Sequence, residues 1–404
     1  MISPHKRSAL EAQFEGLSIA KTFYKTVNLP KILRDTIRAK LNSKAKLTLK
    51  IDPNYDYYRF TPDPDDVFSE SVKYLNEIQR LVVDLKDQDI TYEDHLIESM
   101  SMMIFTSNSL ENAGSSHLIT LRLCKDIFAG REVPENVKER NPEEYQAMVE
   151  HLRSKMASEN DDAVIRSRRQ IIQHAYALKY ITYRTVVKGE ALSEDILKET
   201  HKILTEGIDA ENKEKDKSDT YGGIYRNESV GWFTAFLDPK NIPDRMAQTV
   251  AAFNDAVQEG ESKQCIDPYQ LASKYFHKIL NIHPFLDGNS RLCRLLLNTV
   301  ILKYAGIMIP IGRDSIETAK FKETITRAVE IETADKEDRG SKPAWAEVAT
   351  FVAIQGRSTL RALKESLMAG KRGELFKRRK SIVGYYWETL ADDEEKEDGE
   401  GIEA

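Results

Sequence analysis

One short run concentrates the groups that could do chemistry: His283-Pro284-Phe285-Leu286-Asp287-Gly288-Asn289-Ser290-Arg291-Leu292-Cys293-Arg294. An imidazole titrates near neutrality, so His283 can take a proton from a hydroxyl nucleophile. A carboxylate such as Asp287 can hold Mg²⁺, an oxygen-seeking ion that usually travels with phosphates. Pro284 and Gly288 forbid a continuous helix through the first half, whereas the apolar run from Leu292 to Tyr304 reads as a buried one. The polar groups therefore sit in a loop feeding a helix N-terminus, where uncapped N–H groups and the helix dipole favour an anion. Gly288 permits close backbone approach, and Arg291 and Arg294, three apart, project from one helix face. A lone histidine would be read as a core residue and lone arginines as surface charge. Seven matched residues in one run instead describe a site for phosphoryl or nucleotidyl transfer.

The elements that must position this run are mostly helices. Apolar residues recur at spacings of three and four, as in Leu192, Ile196, Leu197, His201 and Leu204, so the chain reads as mainly α. At about 150 residues per domain, 404 residues make two or three units. Helices are expected around residues 7 to 25 and 66 to 86, separated by the turn-rich LTLKIDPNYDYYRFTPDPDD. Residues 131 to 170 are so charged that they read as a surface insertion or a solvated helix pair. QIIQHAYALKYI, at 170 to 181, looks like a core helix in which His174 is structural. His201 and His277, on similar stripes, are read the same way. The chain ends in a basic cluster, KRGELFKRRK, and an acidic tail that should be disordered. The expected units are thus a helical extension over 1–100, a core over 101–360, and a C-terminal helix with its tail over 361–404.

Composition excludes several classes. A net charge of −6 gives no basic excess that would make nucleic acid the main partner. The three cysteines, Cys124, Cys265 and Cys293, are odd in number and widely spaced, which argues against a disulfide framework or a zinc site and for a reducing compartment. The N-terminus lacks the apolar stretch of a secretory signal, and no window approaches a membrane span. A cytoplasmic protein is expected, with the nucleus left open. Walker, dinucleotide, zincin and nucleophile-elbow signatures are absent.

The run at 283–294 resembles the Fic family motif HxFx(D/E)GNxRxxR at every specified position. Ser290 stands where the family usually has Gly or Lys. The resemblance implies a mainly α Fic-type core with a small β-hairpin flap. It makes His283 the general base, Phe285 the buried anchor of the loop, and Asp287 the Mg²⁺ ligand. Gly288, Asn289 and Ser290 become the phosphate-binding turn, with Arg291 and Arg294 as ligands of the β- and γ-phosphates of ATP. Gly223 to Val230 resembles the flap, with Ile224, Tyr225, Arg226 and Val230 placed to hold a target segment by strand addition. Upstream, Ser107-Asn108-Ser109-Leu110-Glu111-Asn112 fits the family's inhibitory pattern (S/T)xxxE(G/N). By itself this pattern describes a capped helix with an exposed glutamate. With the motif present, Ser107, Glu111 and Asn112 become a brake in which Glu111 meets a bidentate Arg294 and displaces the γ-phosphate.

The resemblance implies an ATP- and Mg²⁺-dependent protein adenylyltransferase acting on a Ser, Thr or Tyr hydroxyl of a protein partner docked at the flap. It allows a homodimer. Two alternatives stand beside it: removal of AMP from a modified protein, with Glu111 positioning water, and a non-catalytic nucleotide-binding adaptor.

Overall fold

A computed structural model of the chain describes residues 24–41, 46–47, 54–84, 89–134, 137–208, 221–230, 236–333 and 342–371. In chain order its helices are α1 (Leu29–Leu41), α2 (Pro64–Asp84), α3 (Asp89–Ser109), α4 (His117–Phe128), α5 (Val137–Arg140), α6 (Pro142–Ser154) and α7 (Asp161–Thr182). They continue with α8 (Glu194–Thr205), α9 (Ile242–Ser262), α10 (Pro268–Ile282), α11 (Asn289–Ala305), α12 (Ser315–Thr333) and α13 (Ala346–Lys371). Among the described residues the strand content is one parallel pair, β1 (Lys46–Leu47) with β2 (Cys265–Ile266). The mainly helical class expected from the spacing is the class observed.

The helix boundaries follow local chemistry. Asp267 caps α10 by accepting the Tyr269 and Gln270 amides at 3.0 Å, and Pro268 occupies the first turn where no N–H is missed. Asn160 caps α7 through the Ala163 amide at 2.8 Å. α11 is buried on nearly every side, as its unbroken apolar run requires. It packs against α10, α7 and α8, with the loop 283–288 joining it to α10.

Three expectations need correction. Helix α3 runs through residue 100 and α13 through residue 360, so both expected unit edges fall inside helices. Residues from both sides of each edge share one apolar core, which reaches from Tyr24 and Leu33 to Leu367. Helix α2 lies along α13, tied by Arg357–Glu70 at 3.4 Å and Lys364–Glu77 at 3.5 Å, while Tyr55 donates to Asp267 at 2.7 Å. Amphipathic helices far apart in sequence had no compositional mark of this pairing. Second, the charged stretch 131–170 is only partly a solvated face. Arg168 is buried, donating to Glu144 at 2.9 Å and to the Pro134 carbonyl at 2.6 Å, because α7 starts at Asp161 and turns one side inward. Third, α1 was not anticipated. The helix expected at 7 to 25 lies almost wholly outside the described residues, as do the basic cluster beyond Lys371 and the acidic tail. The helix expected at 66 to 86 is α2.

Candidate functional site

The site grows from the corner where α10 stops. His283 adopts the left-handed conformation, φ 49° and ψ 61°, at the C-terminal end of α10. For a residue other than glycine or asparagine this conformation is uncommon and persists only when its surroundings impose it. The imposing group is Arg226. Its Nε donates to the His283 carbonyl at 2.7 Å and its Nη2 to the Ile282 carbonyl at 3.4 Å, satisfying the open end of α10. Its own amide donates to the Pro284 carbonyl at 2.9 Å. The same guanidinium holds the Glu228 carbonyl at 2.9 Å and the Leu237 carbonyl at 2.6 Å, so it gathers the two ends of the 228–237 segment.

The His283 ring stacks on Phe236, with centroids 4.0 Å apart. Burial and the nearby Arg226 charge push its pKa down to about 4, against the opposing pull of the Leu280 carbonyl, Asp287 and Glu111. The imidazole is therefore neutral at pH 7, with a lone pair able to take a proton. Phe285 is fully buried and stacks on His201 at 3.8 Å. Asn289 returns across the loop, its Oδ1 accepting the Phe285 amide at 2.9 Å and its Nδ2 donating to the Phe285 carbonyl at 2.8 Å. The Asn289 side chain is spent on closing the loop, which leaves its main-chain N–H to the phosphate-binding turn expected above.

Gly288, at φ 78°, is the N-cap of α11 and offers no side chain to it. A side chain there would be doubly unwelcome, since an added Cβ would come within 3.2 Å of His201 Nε2 and 3.3 Å of Thr205 Cγ2. The positive end of α11 thus stays open beside Ser290. Asp287 is partly exposed, its Oδ1 accepting the Gly288 amide at 2.5 Å and its Oδ2 lying 3.6 Å from Arg291. The Arg291 and Arg294 side chains are 7% and 5% exposed, so two guanidinium charges are buried one turn behind the open helix end.

Arg294 is engaged from the far side through Nε and Nη2. Its Nε donates to Ser107 Oγ at 2.7 Å, and its Nη2 to the Ser107 carbonyl at 2.9 Å and to Glu111 Oε1 at 2.7 Å. The expected pairing of Arg294 with Glu111 is present but not bidentate, because Ser107 takes two of the donors. Burial alone would raise the Glu111 carboxyl, but Arg294, helped by Arg291 and Lys322, holds it below its ordinary value. Just past α3, Asn112 sits at φ 52° and is exposed, so this position suits asparagine for its backbone rather than for a contact. The segment is anchored to α7: Asn108 Oδ1 pairs with His174 Nδ1 at 2.8 Å, and Gln170 accepts the Gly114 amide at 2.9 Å. His174 is structural, as expected.

The flap expectation is only partly met. Among the described residues of 221–230 no strand pairing forms, and 231–235 lie outside them. Ile224 is 59% exposed and available to a partner, whereas Arg226 faces inward. Tyr225 turns onto α8, donating to Glu194 at 2.6 Å. Val230 is half-buried. Sequence reasoning missed Phe236 and the inward role of Arg226, and it gave His201 too small a part. Neither stacking nor capping across such separations leaves a periodic signal.

The site fits magnesium only in company with a nucleotide. Among the described residues no cluster of three or more His, Cys, Asp or Glu side chains stands ready for an ion. One half-exposed carboxylate beside an open helix end is what an ion that keeps phosphate and water ligands requires.

Residues 191–301 match the Fic/DOC family. A Fido domain-containing protein from Dictyostelium discoideum is 34% identical over 100 residues, which cover 24% of this chain and 67% of that protein. The chain belongs to the Fic/DOC family. "Protein adenylyltransferase Fic" of Drosophila willistoni is 30% identical over 152 residues, 37% of this chain but only 28% of the relative's length. Among solved structures, a Fic domain-containing signaling protein from Bacteroides thetaiotaomicron shares the fold, with a TM-score of 0.53 at 18% identity over 74% of this chain and 98% of that one. Among the described residues no helix is long and apolar enough to cross a membrane.

Proposed function

We propose that this protein transfers AMP from ATP to a Ser, Thr or Tyr hydroxyl of a target protein and is restrained by Glu111. One observation carries the reading: a neutral imidazole, a half-exposed carboxylate and two buried guanidiniums converge on the uncapped end of α11. His283 takes the proton of the target hydroxyl as its oxygen attacks the α-phosphorus, and pyrophosphate leaves. The Asn289–Arg291 amides and Arg291 offset charge growing on the phosphates. Asp287 would hold Mg²⁺ with the triphosphate, where the ion neutralises phosphate charge. The relative named as a protein adenylyltransferase supports the reaction class.

The brake follows from charge balance. Arg294 already gives Nε and Nη2 to Ser107 and Glu111, so a γ-phosphate that takes the Nη2 edge must displace the Glu111 carboxylate. The target would lie along 224–230 beside exposed Ile224, and a homodimer in the cytoplasm or nucleus completes the proposal. A second reading, removal of AMP, draws on the single contact made by Glu111: its Oε2 has no hydrogen bond to a described residue and is free to orient a water.

Labelling with α-³²P-ATP and Mg²⁺ tests the assignment. Glu111→Gly should label itself or a target above the wild type. Adding His283→Ala to that variant should cut transfer by about 10²- to 10⁴-fold while ATP still binds. Full transfer without His283 would contradict the base. Release of AMP from an adenylylated substrate by the wild type alone would favour the second reading.

A further inference from the structure

His201 lies on α8, away from the loop in sequence, yet it touches both sides of the site. Its Nε2 is 2.7 Å from the Asp287 carbonyl oxygen, and its Nδ1 is 2.9 Å from the Gly223 amide nitrogen. A carbonyl can only accept, so Nε2 carries the ring proton. An amide can only donate, so Nδ1 presents a lone pair. Only the neutral Nε2–H tautomer satisfies both partners.

The surroundings leave the ring no other position. Its face stacks on Phe285 at 3.8 Å with 7° between the planes, and the edge of Tyr221 closes it at 6.0 Å. The backbone comes close to α8 at both contact points. A Cβ on Gly223 would meet the Lys198 carbonyl oxygen at 2.7 Å, and one on Gly288 would meet His201 itself. Helix α8 is thus the bench on which the 221–226 segment and the 285–288 turn are both set.

The contact with Asp287 fixes more than one atom. The Asp287 carbonyl and the Gly288 amide share one rigid peptide plane and point in opposite directions. Drawing the carbonyl toward α8 turns the Gly288 N–H the other way, where it meets Asp287 Oδ1 and orients the carboxylate.

We propose that His201 is a positioning residue that sets the Asp287–Gly288 turn and the target-facing segment beginning at Gly223 in one fixed register. The inference rests on the transferase reading for its catalytic meaning. The register itself can be measured without turnover.

Two substitutions divide the roles, because a Gln amide reaches the place of Nε2 and an Asn amide the place of Nδ1. In the full chain carrying Glu111→Gly, His201→Gln should keep most of the Mg·ATP affinity while hydrogen exchange at the Gly223 amide rises about tenfold, the value of one lost hydrogen bond. His201→Asn should do the reverse, keeping Gly223 protected and weakening Mg·ATP about tenfold. The idea is overturned if neither variant moves either readout, or if both variants move both together, as a merely structural residue would. With ¹⁵N-labelled histidine the chain with His201 intact gives a check free of folding effects: His201 must show its proton on Nε2, and a proton on Nδ1 excludes the proposal. If the Glu111→Gly chain binds no Mg·ATP at all, the transferase reading fails while the exchange and tautomer measurements still decide this one.

Discussion

The two flanks of the α11 N-terminus are built on different principles. On one side Arg294 meets Ser107 and Glu111, and that carboxylate is 35% exposed. On the other side Arg226, buried, donates to four main-chain carbonyls across Glu228, Leu237, Ile282 and His283. A charged partner can be displaced by another anion, because the arginine exchanges one acceptor for a similar one. Main-chain carbonyls belong to the fold and have no substitute. The brake flank is therefore made to be released, and the Arg226 flank is made to stay.

Acid should have the largest effect, through the buried histidines rather than through the Arg294–Glu111 pair. Unfolded, histidine titrates near 6.5; folded, burial pushes His95 and His201 down to about 4 and His174 well below its ordinary value. Below pH 6.5 the unfolded chain binds more protons than the folded one, so stability falls as pH drops from 6.5 toward 4. His95 and His201 alone give a slope of up to about 3 kcal/mol per pH unit. Glu111, held below the usual carboxyl range, keeps its charge through most of that window. Urea midpoints from pH 7 to 4.5 check this, and a flat profile would deny that these imidazoles are buried neutral.

Replacing Arg226 by Ala comes next. Removing a buried guanidinium that satisfies four carbonyls should destabilise the chain by about 3 kcal/mol, read as a lower denaturant midpoint. A loss below about 1 kcal/mol would deny that Arg226 ties these four carbonyls together. Glu111→Gly should strengthen Mg·ATP binding by about 5- to 150-fold, the range of ordinary coupling energies, with little change in folding. Calorimetry with equal affinity in both chains would remove the brake. The smallest effect belongs to Ser107→Ala: it deletes one acceptor of Arg294 but leaves the Ser107 carbonyl, so ATP should gain only about threefold.

Residues that work within one short stretch could be read directly. His283, Asp287, Gly288, Arg291 and Arg294 lie within a few residues of each other, and the helix that bears the arginines announces itself by its apolar run. The Ser107–Glu111 pattern was legible only beside that motif. The approach of Arg294 to Ser107 through Nε, which leaves Glu111 one contact, depends on the crossing of α3 and α11. The inward turn of Arg226 left no mark in the sequence, since its neighbours Asn227, Glu228 and Ser229 are exposed while it is buried.

By itself the sequence determined the helical class and the composition of the loop, and with them the family motif, because helix periodicity, proline and glycine act over a few residues. Tertiary structure alone decided that the described residues among the first hundred share the core, that His283 is held neutral and left-handed, and that His201 spans loop and segment. Those outcomes depend on burial and on hydrogen bonds between helices distant along the chain. Water is excluded and backbone donors are matched only when all the helices are in place.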